Sequence, residues 1–160
     1  MDELIARTGK YEMRAYNKKH LIQLRVGPET RDMVDFIGVD ALSDSFQARG
    51  PAFSAFFDGA LFVIAGINIL WPGVGEAWAM FGSGYQRHGF FIHRTTIRYI
   101  NRLSDDYNLE RLQAVVKQDH WAGIEWIDRL GFKYEGEMKK YFQGKTYLRY
   151  AKIFNQQASR

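Results

Sequence analysis

The sequence predicts an α+β fold with one mixed, twisted sheet and helices on both of its faces, and three observations carry that expectation. Asp58-Gly59 and Gln143-Gly144 each separate two apolar or aromatic runs, the arrangement of a tight two-residue hairpin turn. Between these hairpins a strand-like run over 76–81, a long amphipathic stretch and a second strand-like run over 109–117 follow in the order that a parallel crossover requires. The 160 residues hold no internal repeat, low-complexity tract or linker, so residues 1–160 read as a single domain.

Residues 11–17 read as a half-exposed strand, with Met13 and Ala15 on one side and Glu12, Arg14 and Tyr16 on the other. From 18 to 26, Leu21, Leu24 and Arg25 fall at helical spacing. Gly27-Pro28 stops that helix and opens another, with Pro28 at its first position and Glu29 near its positive end. Residues 39–49 repeat the helical pattern through Leu42 and Phe46, with Asp40 and Ser43 as capping candidates and Gly50-Pro51 as the stop. They either extend the second helix or form a separate one. A hairpin of strands 52–57 and 60–70 follows, then a Pro- and Gly-bearing loop over 71–75, a third strand over 76–81, and a glycine-bearing loop over 82–89.

The helix expected over 90–103 places Ile92, Thr96, Tyr99 and Leu103 on one face and Arg94, Arg98 and Arg102 on the opposite, solvated face. Strand 109–117 is followed by a helix that Asp119 is suited to cap and that Leu130-Gly131 closes, glycine supplying the left-handed residue at the end. Runs 132–142 and 145–154 form the closing hairpin. The predicted order is β-α-α-β-β-β-α-β-α-β-β.

Composition excludes several classes. With 46% hydrophobic and 25% charged residues the chain has the apolar material of a folded protein. Without cysteine there is no disulfide, thiolate metal site or cysteine nucleophile, and His20, His88, His93 and His120 show no metal-ligand spacing with carboxylates, so no metal is expected. The longest apolar run, 60–71, is interrupted by Gly66 and Asn68 and falls short of the ~20 residues that span a bilayer. Met1-Asp2-Glu3 does not begin a secretory signal, and a cytoplasmic location is expected. A net charge of +4 with no run of five basic residues argues against nucleic acid, and Trp71, Trp78, Trp121 and Trp126 read as core or interface anchors rather than base-stacking platforms. No G-x-S-x-G or Walker loop is present.

The segment Asp119-His120-Trp121-Ala122-Gly123-Ile124-Glu125-Trp126-Ile127-Asp128-Arg129-Leu130-Gly131-Phe132, followed by Lys133-Tyr134-Glu135-Gly136, resembles the "N-x-x-A-x-x-x-Y-x-x-x-G-F" helix of the GNAT acetyltransferase superfamily. Upstream, strand 76–81, loop 82–89 and helix 90–103 are similar in order and length to that family's cofactor-binding strand, pyrophosphate loop and helix. The resemblance implies a GNAT-like fold and an acyl-CoA-dependent N-acyltransferase that moves an acetyl group to an amine, with acetyl-CoA as cofactor. The N-terminal helices and degenerate motifs look most similar to an acetyltransferase-like branch of tailed phages that includes a small internal virion protein. That finer resemblance implies an alternative: a virion-associated or host-interaction protein, in the host cytoplasm or the virion, whose partner is a phage or host protein.

In the family the diphosphate of coenzyme A meets backbone amides at a helix N-terminus, where unpaired N–H groups and the dipole favour an anion. The family pattern Q/R-x-x-G-x-G/A falls on Gln86, Arg87, His88, Gly89, Phe90 and Phe91, with Arg87 and His88 as added positive charge. Gln86 and Gly89 match, whereas Phe91 puts a bulky side chain where the family has a small residue. The alternative is a polar loop with a glycine leading into a helix. His120 stands at the family's asparagine, which helps to orient the cofactor. Glu76 is the candidate base, acting directly or through water, with a solvated strand-end glutamate as its alternative. Ile127 stands at the family's proton-donating tyrosine and has no proton to give. Tyr134, Tyr141 and Tyr147 read as hairpin packing. Strands 76–81 and 109–117 are expected to be parallel neighbours, splayed to open a cleft.

Overall fold

The structure, a computed structural model, describes residues 2–24 and 28–155. The predicted stop at Gly27 and the helical positions Arg25 and Val26 lie outside the described residues. The elements are β1 (Leu4–Thr8), β2 (Tyr11–Ala15), α1 (Lys19–Gln23), α2 (Pro28–Ile37), α3 (Val39–Ala48), β3 (Ala52–Phe57), β4 (Ala60–Trp71), β5 (Val74–Phe81), a 3-10 turn (Tyr85–His88), α4 (Gly89–Asp106), β6 (Arg111–Lys117), α5 (Trp121–Arg129), β7 (Lys133–Phe142) and β8 (Lys145–Ile153). The sheet runs β1-β2-β3-β4-β5-β6-β8-β7. It is mixed: β5 and β6 pair in parallel through Val74↔Arg111, Gly75↔Leu112 and Glu76↔Gln113, while β2–β3, β3–β4, β6–β8 and β7–β8 are antiparallel.

The expected crossover is therefore present, with α4 connecting the parallel pair. Both hairpin turns are also as expected. Asp58 and Gly59 have φ of +49° and +82°, and Gln143 and Gly144 have +50° and +72°, the two consecutive positive values that a type I′ turn needs. The sequence reading lacks β1, which pairs with β2 around Gly9. All five β1 residues are exposed, so it carries no apolar alternation to detect. Residues 39–48 form their own helix, and β5 begins at Val74, two residues earlier than expected.

The chain divides into two compact units, Met1–Asn68 with Ala77–Gly89, and Ile69–Glu76 with Phe90–Arg160. In the first, Leu21, Leu24, Val34, Leu42 and Phe46 of the helical segments bury against Ile64 and Met80. Phe46 stacks on Trp78 at 3.7 Å and 7°. Tyr16, assigned from sequence to the half-exposed side, is instead buried, and its hydroxyl hydrogen-bonds with Ser43 Oγ at 3.0 Å. In the second unit Leu109, Leu112 and Phe132 are the most deeply buried side chains. The end of α5 shows why the Leu130-Gly131-Phe132 segment matters. Gly131 (φ +90°) donates to the Asp128 carbonyl at 3.0 Å and Phe132 to the Ile127 carbonyl at 3.2 Å, a Schellman ending that turns the chain into β7 and sends Phe132 into the core.

Candidate functional site

The connection from β5 to α4 is a closed turn. Gly84 is left-handed (φ +81°), and the 3-10 turn follows it, with Arg87 N–H donating to the Gly84 carbonyl at 3.3 Å and Gly89 N–H donating to the Gln86 carbonyl. A Cβ at position 84 would lie 3.0 Å from Arg87 Nη2, so glycine there lets the guanidinium fold across the turn. Gln86 and Arg87 are exposed, and no acidic side chain pairs with Arg87 among the described residues.

His88 packs on aromatic rings. Its ring lies 4.3 Å from Phe62, 5.0 Å from Phe57 and 5.5 Å from Tyr11, and its Nδ1 is hydrogen-bonded to the Tyr11 hydroxyl at 3.0 Å. Burial first, and then the neighbouring Arg87 charge, lowers its pKa. The expectation that His88 supplies positive charge is therefore corrected: it is a neutral packing residue near pH 7, and Arg87 is the cation of the turn. Beside them lies a cavity of 380 Å³ lined by Tyr11, Phe57, Leu61, Phe62, Ser83 and Arg87, among others.

A depressed histidine pKa means that the folded state binds fewer protons than the unfolded state, so the His88 contribution to stability is present above the ordinary value of ~6.5 and is lost as pH falls through the folded value. The expected NMR titration midpoint of the His88 ring lies below 6.5; a midpoint at or above 6.5 contradicts the packing role.

In the second unit Glu76 is the end of a polar chain. Gln113 Nε2 donates to Glu76 Oε1 at 3.0 Å, Arg111 Nε donates to Gln113 Oε1 at 3.1 Å, and Arg111 forks onto the Glu135 carboxylate with one arm at 2.8 Å. Hydrogen bonding from Arg111 lowers the pKa of Glu135. The Tyr141 hydroxyl is pushed up, first by burial and then by the Glu76 charge, so it keeps its proton. Arg149 Nε is buried and has no hydrogen-bond partner among the described residues. Sequence reading found Glu76 alone. Gln113 is the one polar residue buried on β6, a signal visible only once the strand's partners are known.

His120 occupies the N-cap position of α5 without a side-chain capping bond, which corrects the assignment of the cap to Asp119. Asp119 is exposed and lies 3.7 Å from Lys117 Nζ. The His120 imidazole covers Gly123, where a Cβ would collide with Nδ1, and its Nε2 is buried without a partner among the described residues. Phe90 is 81% exposed, Phe91 is half-buried and Ile127 is a core residue. Gln86, Arg87, His88 and Gly89 thus share one turn of the first unit, while Glu76, Phe90, Phe91 and His120 belong to the second. Among the described residues no group of three or more His, Asp or Glu is placed to hold a metal ion, and no helix is long and apolar enough to cross a membrane.

No protein-family model matches the sequence, and a comparison with curated proteins also gives no match. Solved structures do match in fold. The ribosomal-protein-S5-alanine acetyltransferase of Vibrio fischeri superposes with a TM-score of 0.71 at 16% identity, covering 95% of this chain and 97% of that one. RimL, the ribosomal L7/L12 alpha-N-protein acetyltransferase in complex with coenzyme A, gives 0.72 at 14% identity over 94% and 98%. The yncA protein of Salmonella typhimurium with its cofactor acetyl-CoA gives 0.71 at 12% identity over 94% and 98%. The fold of this chain is the GNAT acyl-CoA N-acyltransferase fold.

Proposed function

We propose that the protein is an acyl-CoA-dependent N-acyltransferase that transfers an acetyl group to an amine. The observation that carries this reading is the likeness of nearly the whole chain to solved acetyltransferases, two of them holding coenzyme A or acetyl-CoA. The turn before α4 adds a local reason. Arg87 is an exposed guanidinium with no acidic partner among the described residues, and the 18-residue helix that follows presents the positive end of its dipole. These groups suit a diphosphate. The Gly89 amide is already committed to the Gln86 carbonyl, which shifts the burden of anion binding from the backbone to Arg87.

Bound acyl-CoA supplies an acyl group activated as a thioester. Glu76 is the base in this reading: Gln113 holds Oε1, and Oε2 is the oxygen that takes a proton from the substrate ammonium, directly or through one water, leaving a neutral amine to attack the thioester carbonyl. His120, at the start of α5, is assigned to cofactor orientation. Ile127 gives no proton to a departing thiolate, and because it is buried, Ile127→Tyr would force a ring into filled space at a cost of ~1–3 kcal/mol. General acid catalysis is worth ~100- to 10,000-fold, so transfer is expected to be slow.

Calorimetric titration with acetyl-CoA tests the binding half of this reading. Binding is expected at low salt, about tenfold weaker for Arg87→Ala, and weaker again as salt screens the guanidinium. Absence of binding at low salt contradicts it.

A further inference from the structure

Strand β6 turns Leu112, Ala114 and Val116 into the core and leaves Arg111, Val115 and Lys117 half-buried on its other side. Directly paired residues share a face of a sheet, so the pairs Glu76↔Gln113 and Val115↔Arg149 put Glu76 and Arg149 on that same open side, within the second unit. Two strand spacings of ~4.8 Å and a two-residue step of ~6.7 Å set their Cα atoms ~12 Å apart. Tyr147 stands two positions before Arg149, and its ring lies 5.3 Å from that of Tyr141. The Tyr141 hydroxyl feels both the Glu76 and the Arg149 charge, so a base and a cation flank one protonated phenol.

Arg149 is the anomaly of this face. The Nε–H is buried without a hydrogen-bond partner, and no carboxylate among the described residues forms an ion pair with its guanidinium. Glu135, whose charge is felt by Arg149, spends both carboxylate oxygens on Arg111. Elsewhere in the unit Arg102, Arg111 and Arg129 each hold a carboxylate. A half-buried guanidinium with an unmet N–H carries a desolvation penalty that a bound anion removes.

We propose that Arg149 binds the carboxylate of the acceptor, and that the acceptor is a free amino acid with its ammonium on Glu76. A carboxylate takes Nε–H and one Nη–H of a guanidinium through two parallel hydrogen bonds, which satisfies the buried donor. One guanidinium balances one negative charge, and the Glu135 carboxylate close by disfavours a dianion such as a phosphate. Glu76 Oε1 is held by Gln113, which leaves Oε2 for the ammonium at the other end of the same molecule. The transfer half of this inference rests on the acyltransferase reading; carboxylate binding at Arg149 does not.

The experiment is calorimetric titration of the full chain with a panel of α-amino acids and straight-chain ω-amino acids, each against the amine that lacks the carboxylate. It is run on the native protein, Arg149→Gln and Arg149→Lys, with thermal melting to verify the fold of each variant and thiol release from acetyl-CoA as the second readout. At least one amino acid is expected to bind about tenfold tighter than its amine, with the preference abolished in Arg149→Gln and partly kept in Arg149→Lys, which retains the charge but not the fork. Binding with those sensitivities but without thiol release upholds the carboxylate site and removes the acyltransferase reading. Thiol release that is equal for amino acids and plain amines, and unchanged in Arg149→Gln, does the reverse. Tighter binding of the matching aminoalkylphosphonates, or no preference for any amino acid over its amine, overturns the proposal.

Discussion

Phe132→Ala is expected to lower the free energy of unfolding by about 3–5 kcal/mol, which for a domain of this length is a large part of the total. Phe132 is 2% exposed, and its position is dictated by its own backbone, because its N–H closes the α5 ending onto the Ile127 carbonyl. Removing the ring leaves a cavity whose wall the Schellman turn and β7 hold in place, so little collapse can compensate. Gly131→Ala disturbs the same turn through φ alone and is expected to cost about 1 kcal/mol, since φ of +90° is a conformation that glycine adopts without strain. Urea unfolding of both variants measures the difference. A loss below 1 kcal/mol for Phe132→Ala contradicts its place in the core.

Glu76→Gln is expected to lower the rate of acetyl transfer at neutral pH by ~100- to 10,000-fold. An aliphatic amine is almost wholly protonated at pH 7, its pKa lying near ~10, so the attacking lone pair has to be generated at the site. Glutamine keeps the shape of the side chain and a carbonyl oxygen towards Gln113 Nε2 but cannot hold the proton. The deficit should narrow as pH rises towards the amine's own pKa, where solvent supplies the free base. A deficit that stays constant with pH assigns Glu76 a structural part in the Arg111–Gln113 chain instead.

The parts of the fold legible in the sequence are those fixed by local backbone chemistry. Asp58-Gly59 and Gln143-Gly144 announce their turns because few other pairs tolerate two positive φ values, and Gly131 announces the end of α5 for the same reason. The three arginines of α4 lie on its exposed face because their spacing alone determines it. What escaped depends on partners far along the chain. The strand β5 starts early because the Gly73 carbonyl accepts from Glu110 and Arg111 N–H at 2.8 and 3.1 Å, which draws residues assigned to a loop into the parallel ladder. His88 looked like a loop cation until Tyr11, 77 positions away, gave its Nδ1 a partner and three aromatic rings surrounded it. The same holds for the site: Glu76 was visible as a carboxylate at a strand, whereas the Gln113 that orients it and the Tyr141 that feels its charge were ordinary residues of other strands.

Acetyl transfer itself is the most direct test of the acyltransferase reading. The purified protein is mixed with acetyl-CoA and a panel of amines and peptides, and release of free thiol is followed with and without each acceptor. Amine-dependent release is predicted, slow because Ile127 provides no acid, and reduced further in Arg87→Ala and Glu76→Gln. Thiol release with none of the acceptors contradicts the acyltransferase reading, and fast turnover contradicts the role given to position 127.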